Sequence, residues 1–203
     1  MLFIPLASLL SVVSLVFFDY PVAMLFSQLK LSGDVAKIFH FAEFFGHGYG
    51  VIIVCITVFT LDRNSRIVIP RIVAAVTATG CSVMIIKLLV SRTRPKYFDF
   101  TLDIYHSFCG WISPLSDGGV HSFPSGHTAA ATALAIMLTW RYPQGRYLFA
   151  SLAVCVALQR ISCSAHYPSD TMVGALVGFL ITGLFISIGP LPKQFDLLEK
   201  RLA

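Results

Sequence analysis

The sequence predicts an all-α, polytopic membrane protein of six transmembrane helices, with a helical and loop segment on one outer face. Three observations predict it. Hydrophobic residues fill 56% of the 203 positions and charged residues only 12%, and the mean hydropathy is +0.78, outside the usual range of a soluble domain. The apolar residues fall in long blocks rather than period-2 or period-3.6 patterns, which argues for spans through a bilayer. No linker, low-complexity tract or clear repeat divides the chain, so residues 1–203 read as a single integral-membrane domain. The formal net charge of +5 is scattered along the loops. Nucleic-acid binding needs a clustered basic face, so that class of partner is excluded.

The elements follow in order. Leu2 to Phe18 is the first span. A secretory signal is the rival reading, but no Lys or Arg precedes the apolar run and no small-residue cleavage site follows it closely. Tyr20 to Phe45 mixes Lys30, Asp34, Lys37 and Glu43 with Leu, Phe and Val, which suits either an amphipathic helix at the membrane surface or an extension of the next span. Gly46 to Leu61 is the second span and Asp62 to Arg66 a polar turn. Ile67 to Val90 is the third span, expected to finish near Thr93, because the residue before Pro95 avoids the helical region. Residues 96–123 form a loop rich in Tyr, Phe and Trp with Gly, Pro and Ser turn signals. Ser125 reads as the N-cap of a fourth span reaching Trp140. The fifth runs from Tyr147 to about Cys163, Tyr167-Pro168 breaks it, and Thr171 to Ile188 is the sixth.

Six spans put both termini on one side. That side carries Arg63, Arg66, Arg71, Arg141, Arg146, Lys193, Lys200 and Arg201, against Lys30, Lys37, Arg92 and Lys96 opposite, once Lys87, Arg94 and Arg160 are set aside. The bias makes the termini cytoplasmic and turns Arg94, Ser125 and His166 outward. Of the five cysteines, Cys55, Cys81 and Cys155 lie in apolar runs, while Cys109 and Cys163 are candidates for a bridge.

Chemistry-bearing residues collect at three helix ends on the outer face. Lys87 and Arg94 are seven residues apart, about two helical turns, so a continuous helix would project both from one face roughly 10 Å apart. Pro124-Ser125-Gly126-His127 opens a helix whose unpaired N–H groups favour an anion. Arg160 and His166 would diverge by about 120° on a continuous helix, and the break at Pro168 lets His166 turn back. Charges in or beside a span cost ~2.5–3.5 kcal/mol each on insertion scales, so Lys87 and Arg160 call for an explanation. Snorkelling explains a single Lys. Three cations with few acids nearby, essentially Asp170 and loop residues, form a largely unbalanced positive site, and phosphate fits it.

These residues resemble the three signature motifs of the type 2 phosphatidic acid phosphatase family, which also includes vanadium haloperoxidases. The motifs are Lys87-x6-Arg94-Pro95, Pro124-Ser125-Gly126-His127 and Arg160-x5-His166-x3-Asp170. One departure is Gln159, where that family's third motif usually opens with Ser. The resemblance implies His166 as nucleophile through a phosphohistidine, Asp170 fixing its tautomer, and His127 as general acid. It implies Lys87, Arg94, Ser125, Gly126 and Arg160 as phosphate ligands, with no cofactor and no metal. A metal site built from His106, His121, His127 and His166, or from Cys163 and His166, would be repelled by the cations.

The expected function is metal-independent hydrolysis of a lipid phosphate at the outer face of the cytoplasmic membrane. Candidate substrates are phosphatidic acid, phosphatidylglycerophosphate, a polyprenyl diphosphate or a lipid A phosphate. The alternatives are a membrane phosphotransferase and a phosphate-anion transporter using the same cations. A transporter would place its charges or helix breaks near mid-membrane rather than at helix ends. His47 is read either as a substrate contact or as the partner of Glu43 four residues earlier. The aromatics of the 96–123 loop are read as interface anchors or headgroup contacts.

Overall fold

The computed structural model describes residues 3–29, 33–112, 118–187 and 190–202. The expected limits at Leu2 and Ile188, and the surface charge Lys30, lie outside them. Helices α1 (Phe3–Val13) and α2 (Asp19–Gln28) are joined by one π-helical turn, Ser14–Phe18. The first apolar segment therefore runs on to Gln28 rather than stopping at Phe18. Asp19 is tolerated inside it because its side chain turns inward and is fully buried. Helix α3 (Gly33–Glu43) and α4 (Gly48–Leu61) are bent by 72° at the intervening break. The mixed stretch thus divides, its first part lengthening the preceding helix and its second forming the separate helix α3.

Helix α5 (Ile69–Leu89) stops four residues short of the expected Thr93. The chain instead goes extended into β1 (Val90–Arg92), which pairs antiparallel with β2 (Phe108–Trp111). The ladder partner, supplied by the long loop, competes successfully with one further helical turn. Helices α6 (Gly126–Arg141), α7 (Arg146–Ser162) and α8 (Pro168–Ile186) follow close to the expected limits. A last helix, α9 (Leu191–Leu202), was not expected.

Among the described residues three segments are long and apolar enough to cross a membrane: Ser8–Gln28, Arg63–Leu89 and Pro168–Ile186. The bent pair of α3 and α4 makes a fourth if it counts as one span. Helices α6 and α7, of 16 and 17 residues, are shorter than the ~20 residues of a usual span. Apolar side chains such as Leu9, Phe17, Ile53, Leu61 and Val154 point outward from the bundle, as a lipid-facing surface requires.

Helix α6 is the axis of the packing, touching α5, α7 and α8. Ala129, Ala131, Ala133, Leu134 and Met137 are all inaccessible to solvent, so most of α6 is buried, with a more open stripe at Thr132, Ile136 and Trp140. Its contact with α8 is backbone to backbone. A Cβ added at Gly174 would lie 2.4 Å from the Ser125 carbonyl oxygen, and one at Gly178 would lie 2.5 Å from that of Ala129. Small residues four apart permit this approach, the usual device for close helix pairs in lipid.

At the α5 N-terminus, Arg71 is 1% exposed. It pairs with Asp196 at 2.5 Å and Glu199 at 2.8 Å on α9, and its guanidinium lies over the Trp140 and Phe195 rings. Lys87, near the other end of α5, is 16 residues on, roughly 24 Å along the helix. One end of the bundle is thus clasped by α9, and the other carries the site described next. All five cysteines are unbridged, so Cys109 and Cys163 do not form a disulfide.

Candidate active site

Six of the eight sequence-predicted site residues line one cavity of about 360 Å³: Lys87, Arg94, Gly126, His127, Arg160 and His166. Ser125 and Asp170 stand behind its wall, both fully buried. A larger cavity of about 540 Å³ lies beside it, between α2, α3, α7 and residues 95–100. It holds none of the eight predicted residues.

Each residue arrives by a local cause. Lys87 sits two residues before the end of α5, and its Nζ donates to the His121 carbonyl at 2.6 Å. Arg94 reaches the cavity after the strand β1, not by continuing the helix, with its amide bonded to the Gly119 carbonyl at 2.9 Å. Ser125 is the N-cap of α6, its Oγ accepting from the Thr128 amide at 3.4 Å and pairing with Thr128 Oγ1 at 2.9 Å. Its amide donates to the Asp170 carbonyl at 2.9 Å. The hydroxyl is therefore occupied by capping, and what α6 presents to the cavity is Gly126 and His127.

After α7 the chain doubles back. Ser164 takes the left-handed conformation at φ +53, and the amides of Ala165 and His166 both donate to the Arg160 carbonyl, at 3.2 and 3.1 Å. This is the reversal that the Pro168 break predicted, and it sets His166 against Arg160. Asp170, in the first turn of α8, accepts from the Tyr167 amide at 2.9 Å and Ser122 Oγ at 2.6 Å. Its Oδ2 lies 3.7 Å from His166 Nδ1, within ion-pair range but longer than a hydrogen bond. With Nδ1 facing Asp170, Nε2 is the nitrogen left for the cavity.

Two expectations need correcting. Arg92 is not a surface charge on the outer side. It is wholly buried, bonded to Asp19 at 2.7 Å, Asp170 at 2.5 Å and Ser169 Oγ at 2.9 Å, with its guanidinium over the Tyr167 and Phe108 rings. Asp19 also accepts from the Ser169 amide at 2.9 Å. Asp170 is therefore fixed by a network reaching back to the first helix, a contact no local spacing reveals. A usable signal was present: Asp19 is the only charge among the first 29 residues, and an ionisable residue in an apolar run marks a site or a partner.

The cationic cavity is also less unbalanced than its sequence suggested. Glu43, at the end of α3, contacts Arg160 Nη1 through Oε1 and accepts from Gln159 Nε2 at 2.9 Å through Oε2. It does not pair with His47, because the helix breaks at residues 44–46 and the four-residue spacing no longer shares a face. His47 lines the cavity, its ring centroid 5.4 Å from that of His127, and its Nδ1 caps α4 by accepting from the Tyr49 amide. Among the described residues no carboxylate pairs with Lys87 or Arg94. Two buried nitrogens on the cavity-lining side chains, Arg94 Nε and Arg160 Nε, have no hydrogen-bond partner among the described residues. Buried polar atoms are nearly always paired, so orphans gathered around one cavity point to a ligand.

Burial is the main cause that pushes the His166 pKa down to about 4, with Lys87 and Arg94 adding to it and Asp170 opposing. At neutral pH the ring is therefore uncharged and keeps a lone pair for attack. Burial, then the Arg160 charge, lowers the Arg94 pKa from its ordinary value, yet a guanidinium stays charged at any physiological pH. Among the described residues no three His, Cys, Asp or Glu side chains converge in a metal-binding group.

A family model described as the PAP2 superfamily matches residues 70–191. The lipid A 1-phosphatase of Rhizobium etli is 29% identical over 101 residues, covering 49% of this chain and 41% of that protein. The decaprenylphosphoryl-5-phosphoribose phosphatase of Mycobacterium tuberculosis is 30% identical over 106 residues, 52% of each chain. The chain thus spans only about two-fifths to half of the length of these relatives. Among solved structures, the crystal structure of Aquifex aeolicus LpxE superposes with a TM-score of 0.63 at 20% identity, over 84% of this chain and 95% of that one. The first transmembrane PAP2-type phosphatidylglycerolphosphate phosphatase from Bacillus subtilis gives 0.55 at 16% identity, over 93% and 98%. Both likenesses concern the fold.

Proposed function

The chain belongs to the PAP2 superfamily, and from that membership we propose that it is a metal-independent lipid phosphate phosphatase. The observation that carries this reading is the pair of orphaned guanidinium nitrogens, Arg94 Nε and Arg160 Nε, beside a neutral His166 in one cavity. Lys87, Arg94 and Arg160 hold the phosphoryl oxygens together with the Gly126 amide, at the positive end of α6. Ser125 acts through that amide by capping the helix rather than by touching phosphate.

The reaction then runs in two steps. His166 Nε2 attacks phosphorus, the bond to the lipid oxygen breaks, and His127 gives that oxygen its proton. Water next attacks the phosphohistidine, His127 takes a proton from it, and phosphate leaves. Asp170 holds His166 in the orientation that exposes Nε2, and Arg92 and Asp19 hold Asp170. Phosphate-monoester hydrolysis is among the slowest uncatalysed reactions, and dense preorganised charge is what it requires.

The N-terminal helix, the bent pair of α3 and α4, and α5 through α8 make six crossings in this reading, with both termini cytoplasmic. The site then opens on the extracytoplasmic side of the cytoplasmic membrane. The relatives' names, a lipid A phosphatase and a polyprenyl-phosphoribose phosphatase, favour an amphiphile with a bulky headgroup or a polyprenyl chain, and phosphatidic acid and phosphatidylglycerophosphate complete the panel. The test is phosphate release by purified protein from these lipids with chelator present. Release that vanishes in His166→Ala, with an acid-labile phosphoryl adduct trapped on rapid quenching of the wild type, is the expected result. Undiminished release in that variant would overturn the scheme.

A further inference from the structure

Glu43 stands outside all three motifs, yet it is the carboxylate beside the proton donor. Its Oε1 lies 3.7 Å from His127 Nε2 and is shared with Arg160, while its Oε2 is held by Gln159. Gln159 is 2% exposed and stands where the family resemblance leads one to expect Ser. The longer amide reaches across to α3, and the carboxylate it grips is thereby fixed against α7. A negative charge bordering a phosphate pocket repels the substrate, so its presence there calls for a compensating role.

We propose that Glu43 is a positioning residue for His127, orienting the ring and keeping its proton available for the leaving oxygen. This rests on the reading of the cavity as a phosphatase site. An imidazole has two nitrogens on opposite edges. With Nε2 turned to Glu43, Nδ1 is the edge that can address the phosphoryl group. In the charged ring, Nε2–H points at Glu43 and Nδ1–H is given to the lipid oxygen as its bond to phosphorus breaks and the His166–phosphorus bond forms. His127 is left neutral with its remaining proton on Nε2, and Nδ1 then accepts a proton from the attacking water. The 3.7 Å gap fits a resting state in which Arg160 competes for the same oxygen. A bound phosphoryl group draws the guanidinium away and frees Oε1 to accept from Nε2.

The charges facing His127 make such a partner necessary. Arg160 on α7, Arg94 on the loop after β1, His166 before α8 and His47 before α4 all lie around the ring. The two guanidinium groups repel a positively charged ring, and Glu43 from α3 is the opposing charge. His40, 3.8 Å from Glu43 Oε2, adds a further positive influence when protonated.

The variant Glu43→Gln keeps an acceptor for Arg160 and removes the charge. A leaving-group comparison reads the role, since an alkyl phosphate needs a proton at its departing oxygen far more than p-nitrophenyl phosphate does. The expected result is a kcat loss at least tenfold larger with phosphatidic acid than with p-nitrophenyl phosphate, and an alkaline limb of the kcat profile displaced to lower pH. Equal losses with both substrates would reduce Glu43 to a tether between α3 and α7. A lower KM at unchanged kcat would make it a plug of the phosphate site. Either outcome overturns the proposal. Histidine NMR with inorganic phosphate present reads the same point without turnover: His127, identified by its absence in His127→Gln, should hold its second proton at least tenfold less tightly in Glu43→Gln. An unchanged titration refutes the proposal whether or not the protein proves to be a phosphatase, whereas inactivity of the wild type on every lipid refutes only the phosphatase reading.

Discussion

The buried pairing of Asp19 with Arg92 gives the most direct test of how the first helix serves the site. Replacing Asp19 with Ala removes one partner of a salt bridge whose side chains are both inaccessible to solvent, together with the acceptor of the Ser169 amide. Breaking a buried pair from one side costs ~3–5 kcal/mol, because the remaining charge stays desolvated. Arg92 still has Asp170, which places the expected loss at the lower end, about 3 kcal/mol. For a chain of this size 1 kcal/mol moves the unfolding temperature by ~2–4 °C. The predicted drop is therefore roughly 6–12 °C, measured by thermal unfolding in detergent. Asp34→Ala is the control, since the Asp34–Lys37 pair has side chains 88% and 72% exposed and should move the midpoint by less than about 2 °C. A drop in Asp19→Ala no larger than the control's would refute the claim that this network holds the α8 N-terminus.

Further outcomes follow from the same geometry. His166 has its folded pKa lowered to about 4 from an ordinary 6.5, so the unfolded chain binds the extra proton first. The stability tied to the neutral ring is complete above about pH 6.5, and roughly 3 kcal/mol of it is lost as pH falls through about 4. The unfolding midpoint of the wild type should accordingly fall more steeply between pH 6.5 and 4 than that of His166→Asn. Arg71→Ala should release α9, seen as at least tenfold faster hydrogen exchange over residues 191–202, because both of its carboxylate partners lie on that helix. Gly174→Val should push α8 off α6 and lower the unfolding midpoint by several degrees. Gly80→Ala, where an added Cβ meets nothing within 4 Å, should leave the midpoint unchanged or raised by up to about 4 °C.

The parts of the site legible in the sequence are those whose cause is local. Ser125 caps its helix because a side-chain oxygen three residues before Thr128 meets an amide at the helix start, and that relation is written in consecutive residues. The return of His166 is likewise announced by Pro168, two residues further along the chain. Where the chain had a choice, spacing misled. Lys87 and Arg94 do share a cavity, but through a strand that exists only because Phe108–Trp111 comes back to pair with Val90–Arg92. Arg92 was counted among the outer-side charges because it follows the third span, although two acids distant in sequence surround it. Glu43 was matched with His47 by helical period, and the period failed at residues 44–46. In each case the deciding partner lies more than ten residues away, beyond the range of capping, periodicity and turn rules.

The charges divide in a way that explains how one end of the bundle can be both stable and reactive. Behind His166, Arg92 sits between Asp19 and Asp170 with its donors largely used, so that shell is compensated whether or not phosphate is present. In front, Lys87 and Arg94 have no carboxylate among the described residues, and Arg160 shares its only one with His127. A dianion entering there gains attraction without having to dismantle the inner network that orients the nucleophile. The fold can then bear the turnover of a strongly charged ligand because the contacts that change during the reaction, those of Arg160 and Glu43, are not the contacts that hold α8 to the first helix. It follows that substitutions at Asp19 and Arg92 should act chiefly on stability and those at Lys87 and Arg94 chiefly on KM for the phosphorylated substrate. Comparing unfolding midpoints with KM across these four alanine variants checks that separation, and a Lys87→Ala variant that unfolded as readily as Asp19→Ala would contradict it.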